Sequence, residues 1–455
     1  MILTRFISMI SLFHCLIFPQ PISNSNFIYH SHKLLNDAGF SWEYLSNFSS
    51  ARDNLDYYSN LLDSTKLNIK TKVNFGYANL NSTSISFGKI NFKYKHLYAN
   101  SYIANVNINE IYKDLRYNPY PIGSIVDHSG VGYKNDWLNF QISSGNENWG
   151  AGNGIELALN ENSNPYTYVL LHSDYGNIRV RYIHGFLEKV GTNINRFITA
   201  RGLEWTNKKS LIIGISETVI YSGHDRNMEI SYFNPISSHV EIELNNRLSV
   251  NGTRNANAVW QAHLDMFFNK YFRFSGNYLY DEYVFDPDIQ IGKENGIAFS
   301  YRLAYTPIFS DSKLLTIFTK KVHVGTPTFR HEMGTNNFVQ GGRPLGWIQG
   351  SDGEENTLGI NYFNRKNMIM KVAKRSIKSG SENIIFREFD PYSDYLKGPF
   401  PSGNVIKKDI FDLCFQYLWL KNTLIETSFH LHQEGEKFKI LDIGIIFNHY
   451  KELSF

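Results

Sequence analysis

Two short stretches bring together residue types that can hold a sugar ring. In "NENWGAGNGIELALNENSNPY", Asn146 to Tyr166, Asn148 precedes Trp149; in "GGRPLGWIQGSDG", Arg343, Trp347 and Gln349 fall within seven positions. An aromatic face packs on the apolar side of a sugar, and planar polar groups bind its hydroxyls and carboxylates, so the two types together give affinity and orientation. Trp149, Asn148, Trp347, Arg343 and Gln349 are therefore the candidate ligand contacts. Each tryptophan also stands beside a glycine turn, where packing is an equally natural use of the ring.

Other chemistries find little support in the sequence. The "WGAGNG" glycines lack the Gly-Lys-Ser/Thr of a phosphate loop. Ile155, Leu157 and Leu159 alternate with Glu156, Ala158 and Asn160, which predicts a strand where a dinucleotide site needs a helix. No His-Glu-x-x-His or Gly-x-Ser-x-Gly occurs; "RHEMG" supplies only His331 and Glu332. Asp286 and Asp288 in "FDPDIQ" read as a solvated loop. The reading is thus of a non-enzyme with no catalytic residue, metal site or cofactor. Histidines such as His263, His430 and His432 sit at polar positions of strands, as in a wet lumen. One cysteine, Cys414, lies beyond the first residues, so an intramolecular disulfide is ruled out there. A net charge of +3 without basic clusters argues against nucleic acid as a partner.

The elements that position these residues are strands. Aromatics make up 15% of the chain and charged residues 19%, a balance suited to strands with two differently solvated faces. In "NAVWQAHLDMFF", Ala258, Trp260, Ala262, Leu264, Met266 and Phe268 share one face, and Gln261, His263 and Asp265 the other. In "GIAFSYRLAYT", Ile297, Phe299, Tyr301, Leu303 and Tyr305 oppose Ala298, Ser300, Arg302 and Ala304. "NIRVRYIHG" and "LIETSFHLHQ" repeat the alternation. Many of these runs reach the roughly 9 to 11 residues that a tilted membrane strand needs, against about 5 to 6 in soluble folds.

Residues 1–25 read as a signal peptide, with Arg5 before the apolar Phe6 to Phe18 and cleavage near Ser23 to Ser25. Residues 26–66 predict a short helical element on the periplasmic side or within the lumen, Ser50 capping the part that carries Leu55, Tyr58, Leu61 and Leu62. Residues 67–455 have room for roughly 16 to 18 antiparallel strands in a transmembrane β-barrel. Two aperiodic stretches, Ile111 to Trp137 and Phe386 to Asp409, read as loops that fold over or into the lumen. The end of the chain, "LDIGIIFNHYKELSF", alternates up to a terminal Phe455 and is similar to the assembly signal of outer-membrane barrels.

Three blocks in order resemble the capsule-assembly proteins called Wzi: "NWGAGNGIELALNENSNPYTYVLL"; Arg196 to Ile236, which looks like paired strands before a Tyr-x-Asn-Pro turn; and Gly341 to Phe363, with Pro344, Leu345, Gly346, Gly350 and Asp352 in matching places. Ala151 departs from the pattern, standing where Pro is common. The resemblance implies a bacterial outer-membrane barrel that acts as a surface lectin for capsular or related exported polysaccharide. Outer-membrane lipids and the barrel-assembly machinery are its other expected partners, and the chain is expected to be a monomer. The alternative is a porin-like channel for small polar solutes or saccharides, built on the same wall. A soluble β-protein with the apolar faces inward is the third reading.

Overall fold

The computed structural model describes residues 30, 31, 33–35, 37, 38, 70–80, 83–107, 122–125, 129–234, 237–239, 256–281, 291–419, 423–434 and 436–454. The signal peptide, the segment capped by Ser50, and Asp286 and Asp288 lie outside the described residues.

Strands carry almost all of the regular structure. In chain order they are β1 (Lys70–Leu80), β2 (Thr83–Tyr94), β3 (Leu97–Asn107), β4 (Ile122–Ile125), β5 (Ser129–Lys134), β6 (Leu138–Gly145) and β7 (Tyr166–Tyr175). Then come β8 (Ile178–Phe186), β9 (Ile194–Thr206), β10 (Leu211–His224), β11 (Ala256–Phe267), β12 (Phe272–Tyr280), β13 (Ile297–Phe309) and β14 (Leu314–Val324). The last are the two-residue β15 (Val339–Gln340) and β16 (Arg343–Pro344), followed by β17 (Gly353–Phe363), β18 (Met368–Ser379), β19 (Ile406–Trp419), β20 (Thr423–Glu434) and β21 (Glu436–Ser454).

All of these except the β15–β16 hairpin form one 19-stranded antiparallel sheet. It closes on itself, because β1 pairs with both β2 and β21. β4 and β5 both pair along β3, so the described wall is eighteen strands across, one position being shared. Closure leaves no sheet edge, which a strand structure must achieve in a medium without water to hydrogen-bond.

Burial follows the alternation of the sequence. Along β11, Gln261, His263 and Asp265 are buried while Trp260 and Ala262 are exposed; along β13, Ala298, Ser300, Arg302 and Ala304 are buried while Tyr301, Leu303 and Tyr305 are exposed. The polar set faces the lumen and the apolar set faces outward, the pattern of a membrane barrel. At one end the strands join through short turns, where Trp137, Tyr175, Trp205, Phe268, Tyr271 and Trp419 form an exposed aromatic girdle. Asparagines build these turns: the Oδ1 of Asn207 accepts from the N–H of Lys209, Ser210 and Leu211, and Asn364 repeats the bond with Lys366, Asn367 and Met368. The long connections lie at the other end, which in such barrels faces the cell exterior.

Two sequence expectations are corrected. Residues 111–137 are not wholly loop, since β4 and β5 fall within them; glycines at 123, 130 and 132 hide the alternation. A Cβ on Gly130 would press against Ser143, and one on Gly132 against Tyr98, so close packing explains those two glycines. Residues 155–160 are not a strand. Ile155, Leu157, Ala158 and Leu159 are all fully buried, because this segment lies inside the barrel and meets apolar or polar neighbours on every side.

On the outer wall, residues 225–234 and 237–239 cover a polar cluster from β8, β9 and β10. The Arg201 guanidinium stands 3.2 Å from Glu217 and donates to the Asn234 carbonyl at 3.1 Å. The Tyr182 hydroxyl donates to the Tyr232 carbonyl at 2.7 Å, and Tyr232 stacks on Tyr221 at 4.6 Å. Ile230 and Phe233 of the covering segment face outward instead, so apolar side chains replace the polar wall at that surface.

Candidate functional site

Three connections from the long-loop end, 146–165, 325–352 and 380–405, fill the upper lumen. Their apolar residues and the inward wall form one core, which includes Trp149, Ile155, Leu157, Leu159, Phe329, Phe338, Leu345, Trp347 and Ile384.

The 146–165 loop is tied to the wall through its backbone. The Ile155 carbonyl accepts from Ser300 Oγ at 2.6 Å and Asn277 Nδ2 at 3.2 Å, and Asn277 Oδ1 accepts the Ala151 N–H at 2.7 Å. The Trp347 N–H donates to the Leu157 carbonyl at 3.1 Å, and the Asn160 N–H to the Leu345 carbonyl at 2.8 Å. A segment without a sheet ladder thus has its buried polar groups paired one by one. Its base is closed by two Asn-Glu-Asn triplets, 146–148 and 160–162. Asn148 Oδ1 accepts the Glu161 N–H at 2.7 Å, Asn148 Nδ2 donates to Glu161 Oε2 at 2.8 Å, and the Trp149 N–H donates to the Leu159 carbonyl at 3.2 Å.

Charges hold the same loop to the wall and to helical residues beside it. Glu147, 1% exposed, forms an ion pair with Arg181 of β8 and accepts from the Tyr168 hydroxyl at 2.5 Å. The Arg181 guanidinium also donates to the Asn148 carbonyl at 3.0 Å and lies 4.9 Å from the centre of the Trp149 ring. Glu161 pairs with Lys33. Lys33 belongs to helical residues within 30–38, whose Asp37 pairs with Arg302 of β13 at 2.6 Å. These described helical residues therefore touch the lumen wall and the loop.

The five sequence-selected residues divide by position. Trp149 and Trp347 are 3% and 2% exposed, so neither ring has a face open to a ligand outside the plug. Asn148 and Gln349 are buried with them; the Gln349 carbonyl accepts from Asn383 Nδ2 at 2.7 Å. Arg343 is partly exposed in the β15–β16 hairpin, beside Gly342, whose N–H donates to Glu388 at 2.9 Å. The structure thus joins Asn148 and Trp149 into one cluster, and sets Arg343 apart at the loop surface.

That surface also carries groups not picked out from the sequence. Phe386 and Arg387 are exposed, and Tyr392 packs under Arg330 at 4.9 Å and edge-on to Tyr395 at 5.2 Å. Burial, opposed only in part by Arg330, pushes the Tyr392 hydroxyl up to about 12. Burial also holds the His331 imidazole below its ordinary value, though Glu332 opposes this. Asp352, at φ 50° and fully buried, ties the loops together: it accepts from Thr326 Oγ1 at 2.8 Å, the Ser402 N–H at 2.9 Å and the Glu382 N–H at 3.1 Å. The signals that could have exposed this machinery were the doubled Asn-Glu-Asn triplet and an Asp among glycines. Among the described residues, no group of three or more His, Cys, Asp or Glu could hold a metal ion.

No family model matches the chain, and no curated protein matches it by sequence. Among solved structures it is similar to Wzi of Escherichia coli, described as an outer-membrane protein involved in group 1 capsule assembly and a carbohydrate-binding β-barrel. The TM-score is 0.62 at 11% identity, over 94% of this chain and 99% of that one. Pseudomonas aeruginosa OccK3 matches at a TM-score of 0.47 and 8% identity, over 85% of this chain and 96% of that one. OprD of the same organism matches at 0.44 and 10%, over 85% and 95%. At 11% identity the likeness to Wzi is one of fold. With its closed wall, apolar outer face and polar lumen, the chain has the fold of a β-barrel of the bacterial outer membrane.

Proposed function

We propose that this barrel binds capsular or related exported surface polysaccharide at its loop face and holds it on the cell, without catalysis. The observation that carries the reading is the filled lumen: three loops occupy it, and buried ion pairs tie the 146–165 loop to Arg181 of β8 and to Lys33. A wall of this kind with an empty lumen conducts; with its lumen packed, it presents a rigid platform. The carbohydrate binding described for Wzi agrees with such a use, as do the three sequence blocks that resemble that family.

Of the residues selected from the sequence, Arg343 is the proposed direct sugar contact, because it is partly exposed and next to Gly342, which bonds Glu388 in the chain segment of the exposed Phe386 and Arg387. Trp149, Asn148, Trp347 and Gln349 act beneath it, as positioning residues that set the shape of the loops. The test is co-sedimentation of the detergent-folded protein with the host's own surface polysaccharide against unrelated glycans. Selective binding, weakened in Arg343→Ala and Phe386→Ala, is the expected result. A folded protein that binds no glycan and conducts ions in planar bilayers would overturn the proposal in favour of the channel.

A further inference from the structure

Among the outward-facing strand positions whose side chains are described, Lys, Arg, Asp and Glu occur in two places. One is the Arg201–Glu217 pair beneath residues 225–234 and 237–239. The other is an uncovered patch on β14, β17, β18 and β19. Strand register lines it up in rows: Glu354 opposite Lys378, opposite Lys407; above the apolar Ile360, Lys374 opposite both Leu358 and Phe411; and Lys321 on the adjoining strand beside Asn356.

Four lysines here face two carboxylates, Glu354 and Asp409. Glu354 is shared, 2.7 Å from Lys378 and 3.7 Å from Lys321. Lys374 and Lys407 are exposed and make no ion pair among the described residues, so the patch has net positive charge. Its height is set by the strands. Lys378 and Lys407 lie one residue from the long-loop ends of β18 and β19, while the exposed Leu358 and Phe411 mark the apolar belt directly below. A lysine on the lipid face costs about 2–4 kcal/mol at the bilayer midplane but only about 0–1 near the interface, where its long stem can lie along apolar surface with the ammonium among headgroups.

We propose that Lys321, Lys374, Lys378 and Lys407 bind the phosphate-bearing headgroup of a lipid in the leaflet on the long-loop side. Lysine suits phosphate as a compact point charge. Neighbouring strands stand about 4.8 Å apart, so four of them present a front of roughly 14 Å, wide enough for a headgroup with more than one phosphate. The site would seat the barrel at a fixed depth in its own leaflet, independently of whatever the loop face binds.

The test is native mass spectrometry of the detergent-folded full chain with bis-phosphorylated lipid A, and with the same lipid dephosphorylated. The parent retains the phosphorylated form preferentially. The Lys374→Gln/Lys407→Gln variant loses affinity by roughly fivefold per lysine, while Lys366→Gln, in a short turn at the opposite end, changes nothing. Heat-dependent electrophoretic mobility establishes that each variant is a folded barrel. If the double variant fails to assemble, Lys407→Gln alone, at an exposed strand end, gives the same readout. Equal retention of both lipids by the parent, or parent-like binding by the folded variant, overturns the proposal.

Discussion

Replacing Arg181 by Met should loosen the plug without harming the wall. Arg181 forms an ion pair with Glu147, donates to the Asn148 carbonyl at 3.0 Å and lies 4.9 Å from the Trp149 ring. Both charges are nearly inaccessible, with side chains 3% and 0% exposed. Removing one member of such a pair leaves the other charge buried without its partner and costs about 3–5 kcal/mol. The cost falls on the loop, because Arg181 keeps its place in a strand paired on both sides. At 1.4 kcal/mol per factor of ten, the fraction of molecules with the loop detached rises on the order of a thousandfold. Hydrogen exchange of the amides in 146–164 reads this directly, and conductance steps in planar bilayers read the opened lumen. Adding Glu147→Gln removes the stranded charge and should return exchange most of the way to the parent rate. Unchanged exchange in Arg181→Met, or no rescue in the double variant, would refute the view that this pair holds the plug.

Asp352→Ala strands the Ser402 N–H, takes the acceptor from the Ser402 hydroxyl, leaves the Glu382 N–H only that hydroxyl, and puts alanine at φ 50°; a loss of about 3–5 kcal/mol in loop stability is expected, seen as faster exchange in 325–352 and 380–405, with Asp352→Asn milder. Gly346→Ala drives a Cβ into the Leu157 carbonyl oxygen, so the Trp347 to Leu157 and Asn160 to Leu345 bonds should break and amide protection in both loops should fall, while Gly342→Ala, with open space around its Cβ but a positive φ, should show only local strain. Acidification should loosen the loop around His331. Its folded value lies below the ordinary 6.5, so the unfolded loop binds more protons; the stability it contributes is present above about 6.5 and is lost as pH falls below that value. Its Nδ1 accepts the Met333 N–H at 3.0 Å, which an imidazolium cannot do; amide protection in 330–345, taken relative to the intrinsic exchange rate at each pH, should fall between pH 7 and pH 5 in the parent, and that fall should be absent in His331→Asn.

The wall was legible because membrane strands separate their two faces at every second residue. Gln261, His263 and Asp265 can only point away from Trp260 and Ala262, and lipid on one side with polar lumen on the other makes the difference visible in residue type. The turns were half legible: asparagine abundance was clear, but its use as a turn acceptor at Asn207 and Asn364 is a matter of position. The plug was legible only in part: Phe386 to Asp409 read as a loop over or into the lumen, but residues 155–160 did not. Ile155, Leu157 and Leu159 alternate as strand residues do, yet inside a lumen both sides of a segment can be buried, so alternation loses its meaning there. The sequence left the tryptophans open between ligand contact and packing for a related reason. Whether Trp149 faces a sugar or a neighbour depends on Arg181 and on Gly202, where a side chain would strike the indole ring, and both come from strands remote in sequence.

A channel and a plugged barrel share the wall pattern, so the distinction has to lie in where each luminal charge finds its partner. Several luminal charges pair within the wall: Arg273 with Asp265 at 2.5 Å, Arg375 with Asp412 at 2.5 Å, His263 with Glu204 at 3.0 Å. Such pairs would survive in an empty, water-filled lumen. Others also take partners from what fills the lumen: Arg181 pairs with Glu147 and Arg302 with Asp37, and the neutral Asn277 and Ser300 bond the backbone at Ala151 and Ile155. A wall evolved for conduction gains nothing from aiming Arg181 at a carboxylate and a carbonyl of the loop. These wall groups match specific atoms of the loops, and that match favours a lumen kept closed, with the working surface on the loops above it.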